Sequence, residues 1–205
     1  MILRRAEIQA FLEALEQVVE SQKSKCVLVS EKAGAILSLA NTPSIQNSTT
    51  QLDGVKALKC LNKAITTAKT CRGPMLKLAE TLARLAPFLS WYLRPNKKFP
   101  EFMKGHGNAQ VLGPLGLELR NDITIGVSLL APNVEYPNHK HDPEEIYIPM
   151  SLGDWRQDLG AWFTPGFGRL VYIPSNVTHS MRSHGEPLLA IWCLNGALIR
   201  KKNKK

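Results

Sequence analysis

The feature that most constrains the fold is a change of pattern near residue 100. All five histidines (His106, His139, His141, His179, His184) and eleven of the fourteen glycines lie beyond it. Before it, apolar residues recur at helical spacing. Ile8, Phe11, Leu12, Leu15, Val18 and Val19 form one stripe between Glu and Gln residues, which predicts an amphipathic helix of roughly five turns. A second helix is expected over Glu31 to Ala40. A third is expected from a cap at Asp53 through Leu58, Leu61 and Ile65, after a polar loop at 41–50. Pro74 suits the first turn of a fourth helix with Leu78, Leu82 and Leu85 on its buried face. Phe88, Leu89, Trp91 and Tyr92 look like contacts between helices and sheet, and the run Arg94 to Pro100 breaks the helical pattern.

Beyond the break come short alternating or β-branched runs at Ile123–Leu130, Glu145–Pro149, Ala161–Thr164, Leu170–Ile173 and Leu188–Leu194. Turn signals such as Ala131-Pro132-Asn133, Leu152-Gly153-Asp154 and Pro165-Gly166-Phe167-Gly168 separate them. Many short strands in about a hundred residues predict an antiparallel sandwich or small barrel. The expected organisation is a helical region over 1–100, a β-barrel over 101–200 and a basic tail over 201–205, α+β overall.

Composition narrows the function classes. No run approaches the ~20 apolar residues of a membrane span, and Met1 to Glu7 lead into a charged amphipathic pattern, so a cytoplasmic protein without membrane contact is expected. Cys26, Cys60, Cys71 and Cys193 show no C-x-x-C spacing, which argues against a zinc knuckle or a disulfide framework. The net charge of +9 would favour nucleic acid. Part of that excess sits in Arg200-Lys201-Lys202-Asn203-Lys204-Lys205, which reads as a solvated tail, so nucleic acid is disfavoured and the remaining charge suits a small anionic substrate.

The stretch from Tyr136 to Pro149 carries the chemistry. Successive strand residues alternate faces, so His139 and His141 are expected to point the same way, with Glu145 brought beside them by a turn. His179, in the spacing Gly168-x5-Pro174-x4-His179, is the candidate fourth ligand. Three imidazoles and a carboxylate suit one divalent transition metal, whether zinc, iron, manganese, nickel or cobalt, with positions left for substrate.

These two blocks resemble the two motifs of the cupin superfamily. His139, His141, Glu145 and Gly153 match the first, and Gly168, Pro174 and His179 the second. Asn176 and Ser183 depart from the usual glycine and asparagine, and the spacing from Glu145 to Gly153 is one residue longer than usual. The resemblance implies a jelly-roll barrel. Tyr147, two residues after Glu145, and Tyr136, three before His139, are both within reach of the cavity. A neighbouring divalent cation stabilises a phenolate and lowers its pKa from about 10.

The wider pattern, from Tyr136 through Tyr147, Trp155-Arg156, Pro174 to Met181 and Glu186 to Trp192, resembles the cupin-type dimethylsulfoniopropionate (DMSP) lyases of marine bacteria, especially short members with a helical N-terminal region. That resemblance implies a carbon–sulfur lyase acting on a zwitterionic sulfonium carboxylate. The substrate carboxylate would bind the metal and a tyrosinate would remove the adjacent proton, releasing dimethyl sulfide and acrylate. Tyr147 is the first candidate base and Tyr136 the second. Aromatic faces receive a sulfonium well, which makes Trp155, Trp162, Tyr172 and Trp192 candidates, although each also suits plain core.

Two alternatives use the same residues. One is a cupin oxidoreductase, such as an iron dioxygenase, acting on another small carboxylate. The other is a small-molecule sensor whose helices pass a signal to a partner or to DNA, although no helix-turn-helix pattern is visible. The helices are also candidates for covering the barrel mouth, completing the cavity or forming a homodimer face.

Overall fold

A computed structural model describes residues 3–47 and 54–196. The expected cap at Asp53 and the basic tail lie outside the described residues. Helix α1 (Ala6–Gln22) buries the predicted stripe, with Ile8, Phe11, Leu15 and Val18 wholly inaccessible. Each such side chain contributes about 1.5–3 kcal/mol when removed from water. Helix α2 (Val27–Ala40) starts four residues before the expected Glu31. A 3-10 turn at Lys56–Cys60 precedes α3 (Leu61–Ala68), so the third helix is shorter than its sequence suggests. Helix α4 (Pro74–Leu85) opens on Pro74, whose missing N–H would have had no partner in a first turn.

Then follow β1 (Trp91–Tyr92), α5 (Pro100–Gly105), β2 (His106–Gly113), β3 (Glu118–Leu119), β4 (Thr124–Leu130), β5 (Glu135–His139), β6 (Glu145–Pro149), β7 (Asp154–Gln157), β8 (Val171–Ile173), β9 (His179–Arg182) and β10 (Leu188–Leu194). Among the described residues they form two sheets. The larger has the order β1-β2-β4-β10-β6-β8, with β3 beside β2; the smaller is β5-β9-β7. All pairings are antiparallel except β2 with β3.

Two expectations change. The sheet reaches back across residue 100, because Trp91 and Tyr92 pair with Ala109 and Asn108, and Trp91 is buried beneath the helices. Ala161–Thr164 is not a strand. Its backbone pairs with the sheet at a single isolated bridge, Phe163 with Trp155, since the turns around Gly160 and Gly166 leave too little extended chain for a ladder.

Period-two alternation gives the larger sheet two apolar faces. On β10, Leu188, Ala190, Trp192 and Leu194 pack inward with the smaller sheet, whereas Leu189, Ile191 and Cys193 pack with the helices. The helical layer therefore covers the outer face of the large sheet. Its N-terminal end is fastened by Arg4, whose Nε and Nη2 donate to the buried Glu118 carboxylate at 2.8 and 2.7 Å. This architecture is a cupin fold with a helical region before it.

Candidate metal centre and cavity

His139, the last residue of β5, sits directly across from His179, the first of β9. His141 follows not on the strand but in the turn to β6, so alternation on one strand places only His139. The turn is pinned where Asn176 N–H donates to the His141 carbonyl at 2.9 Å. Asn176 adopts φ +59°, the left-handed region that explains a glycine preference there and that asparagine tolerates. Glu145 opens β6, and the alternation of that strand sends Glu145 and Tyr147 inward while Ile146 and Ile148 face the helices.

The ligand-type atoms of His139, His141, Glu145 and His179 all lie within 4.8 Å of one another. Each imidazole spends its Nδ1 on a backbone carbonyl: His139 on Pro137 at 2.9 Å, His141 on Pro143 at 2.8 Å and His179 on Val177 at 3.0 Å. A carbonyl only accepts, so Nδ1 carries the hydrogen and Nε2 is the atom that each ring turns toward the cluster. The Nε2 atoms of His141 and His179 both lie 3.1 Å from Oε2 of Glu145. That of His179 is off the hydrogen-bonding direction, and it is buried without a partner. Three imidazole nitrogens converging on one carboxylate, that of His179 orphaned, fit a divalent cation.

The electrostatics agree with this donor set. Burial lowers His139 well below 6.5, reinforced by His179 and Arg94, so its ring is neutral at ordinary pH. Burial pushes the Glu145 carboxyl up, but the hydrogen bond from His141 and the two neighbouring imidazoles outweigh it and hold it at about 2. Burial also lowers His141, and here its bond to Glu145 prevails and raises it. Both phenols are raised. Burial and then the Glu145 charge lift Tyr147 well above 10; burial lifts Tyr136, opposed by Arg94.

The cluster opens into a cavity of about 450 Å³. Tyr136, Tyr147 and Trp192 line it, as do Arg94, Asn108, Gln110 and Ser128. Trp192 lies across from Tyr147 on neighbouring strands and packs against Gly126, where any Cβ would strike its ring. The other three expected aromatics are elsewhere. Trp155 is fully buried behind Tyr147, with ring centroids 6.0 Å apart. Trp162 is on a loop between Arg156 and Arg182, 4.5 and 4.3 Å from its ring. Tyr172 faces the helices because its neighbours Val171 and Ile173 take the inward positions of β8. Its hydroxyl donates to Glu144 at 2.7 Å, and Lys32 of α2 binds the same carboxylate at 2.8 Å, tying the helical layer to the turn before Glu145.

Sequence reasoning missed Arg94, which lies in the run that breaks the helical pattern, and the inward polar residues of β2 and β4. It also left His106 without a role. His106 is wholly buried, stacked on Phe102, and its Nε2 accepts the Arg94 backbone N–H at 2.8 Å.

Fold and site together define a cupin with three imidazoles and one carboxylate converging at one cavity. A profile of the dimethylsulfoniopropionate lyase family matches residues 30–190. A Cereibacter sphaeroides protein named as a candidate dimethylsulfoniopropionate lyase, DddL, is 32% identical over 96 residues, 46% of this chain and 41% of that protein. The chain thus aligns with less than half the length of that relative. DddQ of Ruegeria pomeroyi DSS-3, a DMSP lyase, superposes with a TM-score of 0.64 at 16% identity, covering 94% of both chains. A crystal structure from work on the DMSP lyases RdDddP and RnDddQII gives the same score and coverage at 20% identity. At those identities the structures speak for the fold. The family match covers most of the chain, which belongs to the dimethylsulfoniopropionate lyase family. Among the described residues no helix is long and apolar enough to cross a membrane.

Proposed function

We propose that this protein is a metal-dependent lyase that splits DMSP into dimethyl sulfide and acrylate. The observation that carries the reading is the placement of two buried phenols beside a four-residue metal-type cluster in one cavity. His139, His141, Glu145 and His179 would hold a divalent transition metal, which when bound supplies Lewis acidity toward a carboxylate and stabilises a nearby phenolate.

The residues of the chain do the rest. Tyr147 takes the proton from the carbon next to the substrate carboxylate, with Tyr136 as the alternative base or a hydrogen-bond partner of that carboxylate. The C–H electron pair becomes the new C=C bond. The C–S bond breaks with its pair going to sulfur, so the sulfonium leaves as neutral dimethyl sulfide. Burial of the phenols keeps water from competing for the proton. A cytoplasmic location remains part of the reading.

The dioxygenase alternative uses the same ligands but gives the phenols no task. The sensor alternative likewise gives the phenols no task, and the buried stripes of α1 and α4 are taken up by each other and the sheet. The test is incubation with DMSP, with dimethyl sulfide measured by headspace gas chromatography and acrylate by proton NMR. Equal amounts of both support the reading. Oxygen consumption without dimethyl sulfide supports the dioxygenase instead.

A further inference from the structure

We propose that Arg94 is the anion anchor of the cavity, taking the carboxylate of the substrate and thereby fixing which end of a zwitterion enters first. The proposal rests on reading the cavity as one for a small carboxylate, and it stands apart from how that carboxylate is then processed.

Other arginines removed from water in this molecule are matched by acceptors. Arg4 is buried against Glu118 and the Ala40 carbonyl. Arg120 is buried against Asp122 and the carbonyls of Leu39 and Thr42. In both, a fork of donors removed from water is matched by acceptors, as the cost of an unpaired charge requires. Arg94 is treated differently. It is half-buried at the cavity wall, and among the described residues its guanidinium reaches only the Tyr136 hydroxyl, at 3.5 Å, the outer limit of a hydrogen bond. Among the described residues no carboxylate forms an ion pair with it.

Its position is nevertheless built. The strand β1 just before it is clamped by buried Trp91 and by pairing to Ala109 and Asn108. Its own N–H is held by His106, whose Nδ1 bonds the Phe102 carbonyl and whose ring stacks on Phe102 at 3.6 Å between centroids. Two residues on, Asn96 N–H contacts the Met103 sulfur at 3.1 Å. A rigidly mounted, under-used guanidinium facing a cavity matches a carboxylate with two parallel N–H···O bonds. It also repels a sulfonium, so the cationic end of the substrate must point away from it.

The test uses Arg94→Gln and Arg94→Lys with acrylate as the probe, titrated by ligand-observed NMR into protein of equal metal content. Loss of a charge-assisted pair predicts acrylate binding weakened about 10- to 100-fold in Arg94→Gln, with Arg94→Lys intermediate. The KM for DMSP rises by a similar factor while kcat changes less. The methyl ester of DMSP, which lacks the anion, loses nothing on substitution. Arg94→Lys keeps the charge and guards against a folding defect in the glutamine variant. Unchanged acrylate affinity in a folded Arg94→Gln, equal losses for acid and ester, or no acrylate binding by the wild type would each overturn the proposal. Acrylate binding that depends on Arg94, in a protein that releases no dimethyl sulfide, supports the anchor and removes the lyase reading.

Discussion

His139 and His179 are direct cross-strand partners whose ring centroids lie 4.1 Å apart, although forty residues separate them in sequence. With Nδ1 of each engaged by a carbonyl, the two Nε2 atoms share one small space with Glu145. The cluster is thus shared by both sheets, since Glu145 comes from the large one.

Glu145→Gln and His179→Ala should therefore each lose metal without losing the fold. Bound metal by mass spectrometry should fall at least about tenfold, because a tetradentate site has lost a ligand. Unaltered metal content in both variants would show that the ion, if any, binds elsewhere.

Tyr147→Phe should keep its metal and lose about 10²–10⁴-fold in kcat, the range typical of a missing general base. Tyr136→Phe should lose less and raise KM, because its hydroxyl faces Arg94 rather than Glu145. The reverse ranking would transfer the role of base to Tyr136.

Burial, with a smaller contribution from Arg94, holds His106 at about 4 against 6.5 when unfolded. Between those values the folded state binds fewer protons than the unfolded one, so stability rises with pH and is lost as pH falls from 6.5 to 4. The full contribution is about 3 kcal/mol at 1.36 kcal/mol per pH unit. The thermal midpoint of the wild type should drop more steeply over that window than that of His106→Gln. Parallel profiles would mean that His106 does not titrate there.

Glu118→Gln should strand the buried Arg4 guanidinium and destabilise the protein by about 3–5 kcal/mol, measured by denaturant unfolding. A loss below about 1 kcal/mol would show that the helical layer is not fastened through this pair.

Much of this molecule can be read from sequence wherever a residue pattern maps onto one element. The stripe from Ile8 to Val19 became the buried face of α1, and Glu145–Pro149 and Leu188–Leu194 became strands with those bounds. The four metal-type residues are together because their motif spacings encode the β5–β6 turn and the β8–β9 approach. Reading failed where polar residues face inward. Asn108 and Gln110 interrupt the apolar pattern of β2, yet all of β2 is buried, because the cavity takes polar side chains that pattern analysis assigns to solvent. Arg94 escaped notice for a related reason: Pro95 and the lysines after it look like a linker, and only the pairing of Trp91 and Tyr92 reveals that this segment is wall. Tyr172 was misplaced because alternation fixes two faces of a strand without saying which one holds the site.

The central claim is that lyase activity belongs to one metal ion held by His139, His141, Glu145 and His179. Its most direct measurement is the rate of dimethyl sulfide release as metal-stripped protein is titrated with a divalent transition metal. The rate should climb from near zero and level off at one ion per chain. Release from stripped protein that equals the untreated rate, with a chelator present throughout, would contradict the account.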